Sequence, residues 1–347
     1  MKKQILFNSV ALMTLAAATA CGGSSPTAST TPSEVATKCP GGEQGFPICY
    51  TGGRLQQALP SSYDTSSNEY AIFTEWNQVR SKLGLGPVNH NKLIDASTQN
   101  HANYLRLSWI AGEDGHNEVQ GRLGFTGINS LERIIFAGYT NAKYGGELMS
   151  PETGKKAFYQ LMNAVYHRQG LLDDWITDVG MTSSTSTSTS TSTSTIINYG
   201  FSNQQQNDGN YIGVYPYDGE TNISLTHSLE DPNPFAGELE MTLANMCTKT
   251  SVPVSVISEA STKLQVSSFT IREYGSDRDL SVRLMKQERG IWPNHAVIIG
   301  NAPLKPYQKY EVKFIGKVSG GRSGNGFDVT KSWSFTTGTN LNSCQNY

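Results

Sequence analysis

The chain is poor in charge: 27 Lys and Arg stand against 29 Asp and Glu, 16% of the residues, for a formal net charge of −2. No run of basic residues occurs anywhere, so the electrostatic footprint of a nucleic-acid binder is missing and no DNA or RNA partner is expected. Past the N-terminus there is no apolar stretch near 20 residues, which argues against a membrane span. The GxSxG elbow, the P-loop, GxGxxG and HExxH are all absent, which removes the common hydrolase, nucleotide and zinc-protease signatures. Only six histidines exist, at 90, 101, 116, 167, 227 and 295, so any imidazole site comes from that short set. The 34 Gly and 14 Pro fall below the level of a low-complexity chain, and 16 Tyr, 12 Phe and 5 Trp suffice to build cores. At 347 residues the chain is too long for one ordinary domain, and two are expected.

Lys2 and Lys3 precede an apolar run from Ile5 to Ala20, and small residues Ala18-Thr19-Ala20 stand directly before Cys21. This is the pattern of an exported protein's signal peptide over residues 1–20. The small-residue site ending in Cys21, followed by Gly22-Gly23-Ser24-Ser25, resembles the lipobox and tether of bacterial lipoproteins. The resemblance implies lipidation at Cys21, a membrane contact through that lipid, and location in a bacterial cell envelope. Residues 21–68 then form a tether, Ser/Thr/Pro-rich over 22–38. The remaining cysteines, Cys39, Cys49, Cys247 and Cys344, are even in number, which in an exported chain suggests disulfides. Three pairings are open, and pairing within each region, Cys39 with Cys49 and Cys247 with Cys344, is the simplest topology.

Ser66 and Glu69 have capping-box spacing, and Tyr70, Phe73, Trp76, Arg80 and Leu83 follow at helical intervals up to Gly84, so a first amphipathic helix is expected there. A second is expected from Asn91 to Trp109 and a third over Glu152 to Tyr166. Short β-rich runs follow at 178–181, 196–201 and 211–215; helices first and strands afterwards argue an α+β domain over 69–218. The Ser-Thr alternation of 182–195 has no apolar face and reads as a loop expansion. From Gly219 the pattern turns to pure β, with Tyr310, Val312 and Phe314 expected on one face of a strand and Trp333 and Phe335 on one face of another. Six or seven short strands over 219–340 fit a β-sandwich, which with its Trp333-Ser334-Phe335-Thr336-Thr337-Gly338 run resembles bacterial immunoglobulin-like domains.

His116, in Gly115-His116-Asn117-Glu118, and His167, in Tyr166-His167-Arg168, sit at helix ends with Gly145-Gly146-Glu147 between them. Two imidazoles and a carboxylate are the groups that move a proton or hold a divalent cation. These segments, with Asn77-Gln78-Val79-Arg80, Gly84-Leu85-Gly86-Pro87, His101-Ala102-Asn103-Tyr104-Leu105, Glu132-Arg133, Ala137-Gly138-Tyr139 and Asp178-Val179-Gly180, resemble in order the CAP superfamily of cysteine-rich secretory, venom-antigen and pathogenesis-related proteins, in its bacterial branch. The resemblance implies an α-β-α sandwich with a cleft of two His and two Glu that in some members holds a divalent cation. His116, Glu147 and His167 would line that cleft, with His116 and His167 as metal ligands. The second glutamate should fall near Ala164, where no acid stands, so no cofactor is required and zinc or magnesium would be held only weakly. His101 reads as structural, Glu118 as a solvated loop acid, and Arg133 and Arg168 as ion-paired scaffold. No Ser or Cys is placed by the sequence beside a base, so a non-catalytic cleft for an envelope lipid, glycan or protein is expected. The alternative is a metal-assisted hydrolase that uses His167 and Glu147.

Overall fold

A computed structural model describes residues 37–38, 48–49, 54–55, 57–184, 193–238, 240–285, 290–321 and 326–339. The signal sequence, Cys21, Cys39, Cys344 and most of the Ser-Thr tract lie outside the described residues. Thr37–Lys38 (β1) and Ile48–Cys49 (β2) pair antiparallel.

The first layered unit follows from amphipathic helices laid on both faces of one sheet. Helix α1 (Asn68–Leu83) buries Ile72, Phe73, Trp76, Val79 and Leu83 on one stripe and ends at Gly84, whose φ of 74° is the left-handed cap that glycine accommodates. Its N-cap is Ser67, one residue beyond the expected Ser66, because Asp64 takes both the amide and the hydroxyl of Ser66. Strand β3 (Asn89–His90) leads into α2 (Lys92–Ser108), capped by the Asn91 side chain on the Leu93 amide. A short helix that periodicity did not reveal, α3 (Ser130–Phe136), precedes β4 (Tyr144–Ser150). The expected third helix is broken: α4 (Gly154–Met162) and α5 (Val165–Leu171) are separated at Asn163 and Ala164, the latter extended. With β5 (Asp178–Ser183) and β6 (Thr195–Phe201) the sheet has the order β3-β5-β6-β4, with β3 parallel to β5 and the other pairs antiparallel.

Side-chain direction sorts the layers. Leu148, Val179, Met181, Ile197 and Tyr199 pack with α1, α4 and Leu171 of α5 in one core. Asn198, paired with Glu147 and Gly180, points the other way and donates to Ser97 on α2. A Cβ on Gly180 would stand 2.2 Å from the Asp95 amide nitrogen, so α2 rests directly on the strand and only glycine fits. Three layers result, α1/α4/α5 over the sheet over α2/α3, as an α-β-α sandwich requires. The Ser-Thr tract is entered and left by paired backbone: Ser184 donates to Ser194 and Ser194 to Ser150.

The rest is antiparallel β. Strands β7 (Ile212–Tyr215), β8 (Val254–Ser258), β10 (Val282–Met285) and β11 (His295–Gly300) form a sheet in the order β10-β11-β8-β7, and β9 (Thr262–Glu273), β12 (Lys309–Gly320) and β13 (Phe327–Thr336) form a second in the order β13-β12-β9. A single core lies between them, with Tyr310, Val312, Phe314, Trp333 and Phe335 all inward as their alternation predicts. β7, which its sequence position groups with the first domain, pairs with β8 and so joins the second. Residues 223–235 and the one-turn helix α6 (Met246–Lys249) run back against α5, where Val165 packs with Leu229, Phe235, Met246 and Ile299. The described residues of the helical and sheet-rich parts thus belong to one compact unit.

Candidate functional site

Around Glu147 the helices α2 and α3 and the loop between them bring four further ionisable groups together. Glu147 projects from β4 toward α2 and α3 and is 3% exposed in its side chain. Arg133 of α3, fully buried, donates from Nη2 to Glu147 Oε2 at 2.6 Å and from Nη1 to the His116 carbonyl at 3.0 Å. His116 Nδ1 lies 3.0 Å from Glu147 Oε1, and His101 Nε2, from α2, lies 3.5 Å from the same oxygen. His101 also meets Glu118 through Nδ1 at 2.9 Å and the Gly115 carbonyl through Nε2 at 2.9 Å. Glu118 accepts the amides of Thr126 and Gly127 and is 2% exposed, so it closes the loop onto α2 and is not the solvated acid that its loop position suggests.

Burial alone would push the Glu147 carboxyl up, but His101, His116 and Arg133 together outweigh it and hold the group down at about 2. Glu147 is therefore a saturated anion that orients its neighbours. Burial likewise disfavours charge on His116, yet the Glu147 carboxylate prevails and raises its pKa above the usual imidazole value. Its side chain is 38% exposed, which makes it the member of the group presented to solvent. With Nδ1 turned to Glu147, Nε2 is the nitrogen left for a ligand. The segment 110–128 that carries His116 also exposes Ile110, Val119, Leu123 and Ile128.

His167 lies elsewhere. It sits on α5, whose Gly170 abuts Tyr199 on the opposite face of the sheet from Glu147. Its ring Nδ1 is 3.0 Å from Glu230 Oε1, and the Val165, Tyr166 and His167 amides donate to the two Glu230 oxygens at 2.7–2.8 Å. The position near Ala164 that lacks an acid is thus met in space by Glu230 from the returning chain, which caps α5 in place of a local side chain. His227 Nε2 approaches Glu230 at 3.7 Å. Burial would raise the Glu230 carboxyl, but His167, His227 and the backbone amides hold it below the ordinary carboxylate range. Sequence reasoning missed Glu230 and His227 because more than 60 residues separate them from α5 and no periodicity links the two.

A divalent cation shared by His116, Glu147 and His167 does not fit this arrangement. The sheet stands between Glu147 and His167, and the Glu147 oxygens are already engaged by Arg133, His116 and His101. Among the described residues no group of three or more His, Cys, Asp or Glu side chains is arranged to hold a metal. Arg168, expected as ion-paired scaffold, is 1% exposed and is held by neutral groups instead: it donates to the carbonyls of Met162 and Pro253 and to Ser255, with Tyr215 under its guanidinium at 4.7 Å. Cys247, 1% exposed, is not a free thiol; the partners expected for the cysteines fall outside the described side chains. Among the described residues no helix is long and apolar enough to cross a membrane.

No curated protein matches the chain. Among solved structures, an outer surface protein from Borrelia burgdorferi aligns over 41% of this chain and 98% of its own, at 14% identity and a TM-score of 0.32. The model of the Cysteine-rich secretory protein family, CAP, matches residues 73–220, which begin within α1 and end just past β7 and hold the whole Glu147 cluster: the chain carries a CAP domain over that span.

Proposed function

We propose that this is an exported CAP-domain protein, tethered to a bacterial cell envelope through lipid on Cys21, whose site around His116 binds an envelope lipid, glycan or protein without chemical change. The observation that carries the reading is the saturation of Glu147. A carboxylate held at about 2, with both oxygens taken up by two imidazoles and a guanidinium, is a poor general base near neutral pH. It serves instead to hold His116 outward. A polar, cation-capable imidazole on a segment that also exposes Ile110, Val119, Leu123 and Ile128 suits a ligand with both a hydrogen-bond acceptor and an apolar part. Any zinc or magnesium is held through His116 alone, hence loosely. Export and anchoring rest on Lys2, Lys3, the apolar run and Ala18-Thr19-Ala20-Cys21.

Lipid and glycan extracts of a bacterial envelope, titrated against 15N-labelled protein, test the reading. Shifts confined to His116 and the 110–128 loop, lost in His116→Ala, are expected. Shifts that persist in that variant would place the ligand elsewhere, and turnover of the extract abolished by Glu147→Gln would replace binding with catalysis.

A further inference from the structure

On the far end of α2 from this site lies an arrangement that no functional assignment covers. Asp95, in the first turn of α2, meets His90 Nε2 through Oδ2 at 2.5 Å. The other Asp95 oxygen accepts the Tyr63 hydroxyl at 2.6 Å and the Met181 amide at 2.8 Å, so the carboxylate is fixed from three sides. Tyr63 also lays its ring on the imidazole, centroids 3.8 Å apart, and the His90 side chain is only 5% exposed. A carboxylate at Nε2 places the ring proton there and leaves the Nδ1 lone pair open. At that lone pair stand the hydroxyl of Ser62 at 3.3 Å and the Ser62 amide at 3.1 Å, on an exposed residue. The order is carboxylate, imidazole, hydroxyl.

We propose that Ser62 is a serine nucleophile with His90 as its base and Asp95 as the positioning residue, and that it transfers acyl groups from small, unhindered carboxylic esters. This site is separate from the His116 site and does not depend on it. It also answers the absence of any hydroxyl placed beside a base by sequence spacing: 28 residues separate Ser62 from His90, and only the strand β3 beside the N-terminal segment joins them. In the reaction Ser62 Oγ bonds to the ester carbonyl carbon and its proton passes to His90 Nδ1. The bond from that carbon to the alcohol oxygen then breaks, and the alcohol leaves with the proton from His90. Water bonds to the carbonyl carbon of acyl-Ser62 and gives a proton to Nδ1; the bond from that carbon to Ser62 Oγ then breaks, Oγ takes the proton back from His90, and the carboxylic acid departs. The amide and the hydroxyl of Ser62 share one lone pair at rest. A carbonyl oxygen that accepts the Ser62 N–H gives Nδ1 over to the hydroxyl, and the same amide then steadies the developing oxyanion.

A fluorophosphonate, which loses fluoride to an activated serine, is the probe, with adducts located by peptide mass spectrometry and p-nitrophenyl acetate as the ester. The folded protein at pH 8 is expected to carry the adduct on Ser62, to lose it in Ser62→Ala and after unfolding in urea, and to be unaffected by His116→Ala. His90→Gln is expected to slow labelling on the order of a hundredfold, the usual worth of a positioned base. Asp95→Asn should slow it as well, and the conservative Asp95→Glu should recover part of the rate. Absence of a Ser62 adduct on folded protein, labelling no faster than in urea, or equal rates in a folded His90→Gln would overturn the proposal.

Discussion

Arg133 shows how much a single side chain holds in the Glu147 cluster. It is fully buried between two carboxylates, and it also ties the His116 carbonyl to α3. Arg133→Met would leave the buried Glu147 short of a partner, and removal of one member of a buried ion pair costs about 3–5 kcal/mol. Urea denaturation should show a loss of that size, whereas Glu147→Gln, which removes the charge but keeps hydrogen-bonding atoms, should lose less. His116 supplies a second reading of the same contact. Its imidazole pKa is raised by Glu147, so the pair stabilises the fold fully below the free value of about 6.5 and the contribution fades as pH climbs through the raised value. A proton-detected titration should find His116 above 6.5 in the wild type and shifted down in Glu147→Gln. An unchanged midpoint would show that Glu147 does not govern it.

At the scale of elements, what could be read from sequence was what repeats. α1, α2, the strand alternation of β12 and β13, and the cores they bury follow from local periodicity. The break between α4 and α5 did not, because Asn163 and Ala164 are no strong helix breakers; the cause is Glu230, which draws three consecutive amides into a new N-terminus. In the site, His116 and Glu147 were legible as types at helix and strand ends, and they meet. His167 carried the same local signature, but it stands on α5, which packs on the opposite face of the sheet from Glu147, and the layer a helix joins is not written in its local sequence. Because α5 owes its start to Glu230, Glu230→Ala is expected to cost on the order of 3 kcal/mol, since three amides and two imidazoles lose one shared anion. Hydrogen exchange should localise the effect: amides of 165–171 gain most, while those of α2 and β5 stay protected. Uniform acceleration through both parts would mean that α5 unfolds only with everything else. The hairpin of β5 and β6 makes a contrasting case, since its ladder continues through Ser184 and Ser194. Replacement of residues 185–192 by a short Gly-Asn turn should change the melting temperature little, as loop length enters stability only logarithmically.

Across the whole molecule, buried ionisable groups set an unusual pH response. Burial raises Asp174 to about 8, with Asp173 and Glu259 adding to it, and raises Asp173 to about 6, Asp178 to about 6 and Glu220 to about 8. Burial lowers His227 to about 4 and His295 to about 3, Arg168 adding to both. A carboxyl with a raised folded value holds its proton in the native state while the unfolded chain has released it, so acidification from pH 8 toward 5 favours folding. A histidine with a lowered folded value works the other way below about 6.5, since the unfolded chain takes up a proton that the native state refuses. Near pH 5.5 four carboxyls gain and two imidazoles lose, and the carboxyls prevail. Stability should therefore rise as pH falls from 8 to about 5, with a slope on the order of 1–2 kcal/mol per pH unit. Below about 4 the unfolded carboxyls protonate as well and that gain ends, while Glu147 and Glu230, whose folded values are lowered, begin to withdraw their contribution. Calorimetric melts between pH 3 and 8 should show a maximum in the mildly acidic range. Asp174→Asn should flatten the limb between pH 6 and 8, and a melting temperature that instead climbs steadily to pH 8 would mean that these carboxyls stay ionised inside the fold.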